Sequence, residues 1–221
     1  MKAITMDRQQ CRHASAVARE DNWKTLRFRN LLLASVSAGA LLVAASGAAY
    51  GQATVSNGCF EVQDGLVVCT GDLSDGVEVD GNGEDVTVNV SFIDGDIAPA
   101  NNVNGIKVVN DDADIIINSD TGRFQIVTVG RHANGIEATI EDADDNIKID
   151  HTGNIIAGGN GVAATIDGDG NIDVIYAGNI KAAGDGIDAE VHDDGDIKIT
   201  YSGNINAGDD GIDATVDDDG N

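Results

Sequence analysis

A unit of about 25 residues recurs along the chain, and this repeat constrains the possible fold more than any other feature. Each copy opens with a glycine followed by isoleucine or valine, and the later copies are the most regular. The opening residues are Gly76, Gly105, Gly135, Gly161, Gly186 and Gly211. Repeats of roughly 20–50 residues indicate a stack of units, because one unit cannot bury its apolar face alone.

The alternation of side chains within a unit predicts β-strands. In Gly186–Asp210, the apolar Ile187, Ala189 and Val191 alternate with acidic residues, and two further short runs alternate in the same way. A period of two residues is typical of strands, whereas a helix would repeat every three or four residues. Each run ends in turn-forming Gly, Asn, Asp or Ser. Each unit is therefore predicted to contain three short strands and three turns.

The composition of the repeat separates two folds that place three strands in such a unit. A leucine-rich-repeat horseshoe needs several leucines per repeat, but after residue 53 the chain contains only Leu66 and Leu73. A parallel β-helix accepts Ile, Val and Ala inside and Gly, Asn and Asp at its corners. We therefore predict an all-β chain, a single-stranded parallel β-helix (a solenoid) with about 25 residues per coil over residues 76–221.

Stacking of the coils turns repeat positions into ladders, because equivalent residues in neighbouring coils lie about 4.8 Å apart. An amide ladder is predicted at one corner, formed by Asn154, Asn179 and Asn204. A ring ladder is predicted at another position, formed by His151, Tyr176 and Tyr201. Both ladders are interpreted as structural, satisfying a turn and filling a corner, with ligand binding as the alternative.

Residues 1–53 have the layout of a secretory signal peptide with an extended basic region. The basic segment Met1–Asn30 precedes Leu31–Tyr50, which is apolar and rich in small residues. Small residues at Gly51 and Ala53 predict cleavage after Ala53. An uncleaved membrane anchor is the alternative, because about 20 apolar residues can span a bilayer. The signal predicts passage through the periplasm and a secreted or cell-surface location.

Residues 54–75 are predicted to form a hairpin that caps the first coil. The segment Cys59–Cys69 alternates on both sides of Gln63-Asp64-Gly65, a turn sequence. The two cysteines are equidistant from Asp64, so they could face each other and form a disulfide in an oxidising compartment. Such a cap would cover an open strand edge. A metal site is disfavoured, because two cysteines alone supply too few ligands.

The part of the chain after the leader is strongly acidic. Residues 54–221 contain 35 of the 38 acidic residues but only 6 of the 13 basic ones. Phosphate backbones and anionic membranes are poor partners for such a surface. Nucleic acid is therefore excluded as the expected partner.

Aspartates recur at the first turn of each unit, where stacked coils would bring them close together. The stripe comprises Asp111, Asp112, Asp114, Asp142, Asp144, Asp145, Asp167, Asp169, Asp193, Asp194, Asp196, Asp217, Asp218 and Asp219. Like charges repel unless salt or cations intervene, and Ca²⁺ binds six to eight oxygens of this kind. The stripe is interpreted as a solvated face that needs no cofactor. Weak calcium binding is the alternative, at Asp167, Asp169, Asp193, Asp194 and Asp196.

No catalytic motif is present. The sequence contains no G-x-S-x-G, no phosphate loop and no Cys/His pairing. His132, His151 and His192 occupy three different repeat positions. Functional sites tend to break local patterns, and the repeat is regular. We therefore predict no enzymatic activity, with a polysaccharide lyase or hydrolase on a β-helix as the alternative.

The long leader, the run Val68-Cys69-Thr70-Gly71-Asp72 and the recurring Gly-Asn-Ile and Gly-Ile-Asp-Ala steps resemble the passenger domains of Gram-negative autotransporters. The resemblance implies a right-handed β-helix, export, and display at or release from the outer surface. It also implies an adhesin or structural surface protein whose partner is a surface ligand or host matrix component. A calcium-stabilised extracellular matrix protein is a further alternative.

Autotransporter passengers are followed by a translocating barrel, which would connect this chain to the outer membrane. The sequence stops at Asn221, inside a repeat, which is expected of a fragment, of a split reading frame or of a short secreted relative. Otherwise, the open strand edges of the last coil are expected to cause self-association.

Overall fold

The computed structural model describes residues 53–141 and 144–217, and every regular element in them is a β-strand. In chain order the strands are β1 (Thr54–Val55), β2 (Cys59–Gln63), β3 (Leu66–Gly71), β4 (Val77–Asp80), β5 (Val86–Ile93), β6 (Ile106–Asn110), β7 (Ile115–Val127), β8 (Ile136–Glu141), β9 (Ile147–Ala157), β10 (Val162–Asp167), β11 (Ile172–Ala177), β12 (Ile180–Ala182), β13 (Ile187–Val191), β14 (Ile197–Ser202), β15 (Ile205–Asn206) and β16 (Ile212–Val216).

Some predictions fall outside the described residues. These are the signal peptide or membrane anchor within residues 1–52, and the acidic stripe at Asp142, Asp218 and Asp219. In the part of the chain that is described, no helix is long and apolar enough to cross a membrane.

The strands stack into three faces that the chain visits in turn. Face 1 has the order β1-β4-β6-β8-β10-β13-β16, and face 2 has the order β2-β3-β5-β7-β9-β11-β14. Face 3 is formed by the second halves of β7 and β9 together with β12 and β15. All neighbours are parallel except β1 with β4 and β2 with β3. The predicted parallel β-solenoid is confirmed, with about six turns.

The register between coils matches the spacing of the repeat. Val162 pairs with Ile187, and Ile187 pairs with Ile212, in steps of 25 residues. The earlier coils are longer, since Val77 pairs with Ile106 and Ile106 pairs with Ile136. The extra residues of these coils are therefore accommodated at the turns between faces, which we call corners.

The core is a set of continuous columns inside the coils, because every second residue of a strand points inward. One column on face 1 is Val77, Ile106, Ile136, Val162 and Ile187, and a narrower one is Val79, Val108, Ala138, Ala164 and Ala189. Each of these side chains is at most 2% exposed. Full burial of a Val or Ile contributes roughly 1.5–3 kcal/mol, so the columns dominate the stability of the stack.

Antiparallel strands lie at the N-terminal end of the solenoid. Strands β2 and β3 form a hairpin in which a disulfide joins Cys59 to Cys69, with their Cα atoms 4.0 Å apart. Strand β1 pairs antiparallel with β4 on face 1. Ala53, the predicted cleavage position, is partly buried against the core. The hairpin and β1 thus cover the first parallel strands of faces 2 and 1.

Candidate functional site

Each of the three corners carries a ladder of Asn and Asp side chains. In every ladder the Oδ1 atom accepts the backbone N–H of the equivalent residue one coil later, at 2.7–3.3 Å. The ladders are Asp85, Asp114, Asn146, Asn171 and Asp196 between faces 1 and 2; Asn154, Asn179 and Asn204 between faces 2 and 3; and Asn104, Asn134, Asn160, Asp185 and Asp210 between faces 3 and 1. The sequence predicted only the second ladder, because the other two mix Asn with Asp.

The residues proposed for calcium take part in several hydrogen bonds, through the carboxylates of Asp167 and Asp169 and the backbone N–H groups of Asp194 and Asp196. Asp167 Oδ1 lies 3.0 Å from His192 Nδ1, and this contact raises the pKa of His192. Asp169 Oδ1 accepts the backbone N–H of Asp194 at 2.9 Å, while Asp196 donates its N–H within the first ladder. Asp193 is exposed. In residues 53–141 and 144–217, no three His, Cys, Asp or Glu side chains are grouped so as to hold a metal ion.

The predicted ring ladder forms an interior column on face 2. The ring centroids of His151 and Tyr176 are 5.1 Å apart, and those of Tyr176 and Tyr201 are 5.5 Å apart. The column continues toward the N-terminus through Ser119 and Val90, the register partners of the preceding coils. It therefore runs directly behind the corner between faces 2 and 3.

That corner is twice as long in the first two regular coils as in the later ones. Val90 pairs with Ser119 before the corner, and Ile97 pairs with Ile126 after it. Between these pairs, residues 91–96 and 120–125 form two stacked six-residue segments, which we call the enlarged corner. In the later coils the corresponding segments have three residues, 152–154, 177–179 and 202–204. Here the chain departs most clearly from its own repeat.

The enlarged corner exposes one aromatic ring, that of Phe92, and holds a second, partly buried ring, that of Phe124. Phe92 is 89% exposed and has a φ of 52°, in the left-handed region that non-glycine residues avoid. Holding a residue there costs roughly 1–3 kcal/mol, and an exposed ring recovers little of that cost by burial. The Cζ atom of Arg123 lies 4.8 Å from the centroid of the Phe124 ring, a cation–π contact.

Local hydrogen bonds hold the enlarged corner in shape. Thr70 Oγ1 donates to the carbonyl oxygen of Phe92 at 3.2 Å, and Thr121 Oγ1 donates to that of Phe124 at 3.0 Å. The two segments are joined to each other, since the N–H of Gln125 donates to Asp96 Oδ1 at 3.1 Å. The exposed ring of Phe92 therefore sits on a hydrogen-bonded base.

Two polar side chains directly behind the enlarged corner are buried without a partner. His151 is 0% exposed and Ser119 is 4% exposed, and neither ring nitrogen nor Ser119 Oγ has a hydrogen bond. Burial lowers the pKa of His151 to about 4, against a smaller opposing effect of Asp120. Although the two residues are register partners, no hydrogen bond connects them, so they do not form a nucleophile–base pair.

The same two coils are also longer at the corner between faces 3 and 1. The backbone N–H of Asn102 donates to the carbonyl oxygen of Val129 at 2.7 Å, and the Val103 and Val129 side chains are exposed. A cavity of about 340 Å³ lies beside this corner, and its lining includes the charged residues Asp75, Glu78 and Lys107. This cavity has no aromatic ring in its lining.

The enlarged corner is thus suited to non-covalent contact through an exposed ring, a planar cation and the neighbouring carboxylates of Asp94 and Asp96. The enlarged corner was not predicted from the sequence. Its one available signal was the uneven spacing of Gly76, Gly105 and Gly135, which shows extra residues but does not show at which corner they lie. Comparisons with protein-family models, with curated proteins and with solved structures find no match to the chain.

Proposed function

We propose that the chain is a secreted or surface-displayed β-solenoid of the autotransporter-passenger type, without catalytic activity. Its role is that of an adhesin or structural surface protein, and it contacts a surface ligand or host matrix component through the enlarged corner. The leader layout and the style of the repeat support export and display. The confirmed solenoid is compatible with this role but does not by itself distinguish an adhesin from an enzyme.

The exposure of Phe92 is the observation that most directly supports a contact function for the enlarged corner. Its ring is 89% exposed, and its backbone is held in an unfavourable conformation. The later coils make the same corner with three residues, so the stack does not require the longer form. Burying one such ring in a complex contributes roughly 1.5–3 kcal/mol, and aromatic and arginine side chains are the usual anchors of interfaces. Arg123 and the partly buried Phe124, in the second segment of the enlarged corner, add one residue of each kind.

Export is tested by expressing the full chain with a C-terminal epitope tag in a Gram-negative host. We expect a periplasmic product whose N-terminal sequence begins at Thr54. A product that retains residues 1–53 and fractionates with the inner membrane would support the anchor and contradict this part of the proposal.

Contact is tested by coupling the purified chain to fluorescent beads and measuring their binding to intact epithelial cells and to immobilised matrix proteins. We expect saturable binding that Phe92→Ser reduces at least tenfold. Phe60→Ser is the matched control, because Phe60 is 48% exposed but lies on the terminal hairpin. Equal binding by wild type and Phe92→Ser, or no saturable binding to any surface, would overturn the contact function.

A further inference from the structure

We propose that the enlarged corner is an acid-sensitive element that opens when the buried His151 ring behind it takes up a proton. This inference rests on the proposed function only in calling the corner a contact site. The opening itself is a property of the solenoid. Its consequence for the proposed function is that ligand contact would be released in acid.

If the His151 imidazole were protonated in the closed state, no hydrogen-bond acceptor among the described residues and no bulk water would solvate its charge. The ring is 0% exposed, and both of its nitrogens lack a hydrogen-bond partner. Tyr176 lies on one side of it, but the Tyr176 hydroxyl donates to the carbonyl oxygen of Gly153. Ser119, the partner on the other side, is buried and has no hydrogen bond of its own. A buried charge without partners is strongly unfavourable, so protonation favours any motion that gives the ring access to water.

The enlarged corner borders the ring, because Ser119, the register partner of His151, directly precedes residues 120–125. Gly153 lies two residues after His151 on β9. Thr121 occupies the space where a side chain of Gly153 would begin. A Cβ atom added at Gly153 would collide with Thr121 Oγ1 and would lie 3.1 Å from His151 Nε2. Thr121 is therefore packed against the same small space as the imidazole. Displacing Thr121 to admit water would break its hydrogen bond to Phe124 and loosen residues 120–125.

Nearby negative charge stabilises the protonated His151 ring in the closed state, but not enough to offset its burial. From β7, Asp120 favours the protonated ring, but its carboxylate already accepts the N–H of Gly122 at 2.8 Å. From β11, the facing titratable group is Tyr176, whose pKa is raised by burial and which stays neutral. On β9 itself, Asp150 and Thr152 occupy alternate positions that point outward. Burial of the ring outweighs the attraction of Asp120, so the net effect lowers the pKa of His151 to about 4.

The direction of the pH effect follows from that lowered pKa. In the open state the ring approaches its ordinary pKa of 6.5. The closed corner is therefore fully favoured above pH 6.5 and progressively disfavoured as the pH falls toward 4. At pH 4.5 the closed-to-open ratio is expected to fall roughly 80-fold if the ring becomes fully solvated.

The test is hydrogen exchange of the purified chain without any ligand, at pH 7.0 and 4.5, corrected for intrinsic exchange. We expect the amides of residues 120–125 to open at least tenfold more at pH 4.5 in wild type. The loss of protection should be absent in His151→Gln, which cannot be protonated. His151→Tyr, which installs the residue of the later coils, guards against misfolding of the Gln variant. His192→Gln, an exposed histidine, is the control that should behave like wild type.

The same acid-induced opening in His151→Gln and His151→Tyr would overturn the proposal, as would acid opening confined to other coils. Because no ligand is used, the result is independent of whether the corner binds cells or matrix proteins. If the contact function fails while the exchange result holds, the corner is acid-sensitive but has another role.

Discussion

The hydroxyl of Tyr176 donates a hydrogen bond of 2.9 Å to the carbonyl oxygen of Gly153, in the preceding coil. Tyr201 repeats the contact with Gly178 at 3.0 Å. Each tyrosine thus fastens the corner of one coil to the strand of the next, in addition to filling the interior. The two rings also stack on one another, 5.5 Å apart.

Replacing Tyr176 by Phe removes this bond without changing the packing of the ring. We expect a loss of about 1 kcal/mol in the free energy of unfolding, the usual net contribution of a neutral hydrogen bond. Urea denaturation followed by circular dichroism measures it. Tyr201→Phe is the matched variant and should cost less, because Tyr201 is only partly buried. A Tyr176→Phe variant as stable as wild type would show that the hydroxyl bond does not stabilise the stack.

Gly178 lies where two coils approach each other closely, and we expect alanine there to be severely destabilising. Its φ is 151°, and an added Cβ atom would collide with the carbonyl oxygen of Gly153. Backbone strain and displacement of the neighbouring coil should together cost about 3 kcal/mol or more.

Gly95→Ala is the control for Gly178→Ala, because no atom lies within 4 Å of a Cβ at Gly95. It should change the melting temperature by less than about 2 °C. Similar melting temperatures for the two variants would contradict the close approach at the corner.

The fold could be predicted from the sequence because each coil repeats the same pattern of apolar strand residues and turn residues. Alternation in runs such as Ile187–Val191 predicts strands, and glycines about 25 residues apart predict the coil length. His151, Tyr176 and Tyr201 could be placed in one column because the register between these coils has no insertion.

The candidate site could not be predicted, because it depends on contacts between coils of unequal length. Phe92 follows the alternating run at Val86–Val90, and nothing in that pattern indicates the left-handed conformation that it adopts near the end of β5. The position of Thr121 opposite Gly153, close to His151, likewise depends on the extra residues of β7. Repeat spacing therefore predicts the regular coils and fails where two coils share an insertion.

Asp188 lies on the outer side of face 1, and its ionisation should weaken the protein at neutral pH. Partial burial, followed by the charges of Glu190, Asp185 and Asp213, raises the pKa of Asp188 from 3.8 to about 6. Because the folded-state pKa is raised, the penalty is present above pH 6 and disappears as the pH falls below 3.8.

Asp188→Asn removes that charge and keeps an oxygen to accept the 2.7 Å hydrogen bond from Asn160 Nδ2. We expect a gain of about 1 kcal/mol in unfolding free energy at pH 7, after allowing for solvent screening. The gain should vanish near pH 3.5. Asp213→Asn, at an exposed position in the next coil, should change stability by less than about 0.5 kcal/mol. A gain that is independent of pH would exclude the ionisation of Asp188 as its cause.

Calcium binding by the acidic stripe is best tested as a stability effect that distinguishes two groups of carboxylates. Partial burial and the charges of Asp114 and Asp112 raise the pKa of Asp145, so a divalent cation there would relieve repulsion.

At a concentration ten times the dissociation constant, binding of Ca²⁺ adds about 1.4 kcal/mol to the free energy of unfolding, or about 3 °C in melting temperature for a chain of this size. If the stripe binds Ca²⁺, that rise should appear in millimolar CaCl₂ but not in NaCl of equal ionic strength. Asp145→Asn should abolish it if the cation binds near that residue, whereas Asp193→Asn should abolish it if the site lies among the residues from Asp167 to Asp196. An equal rise in both salts would mean that the stripe responds only to ionic screening.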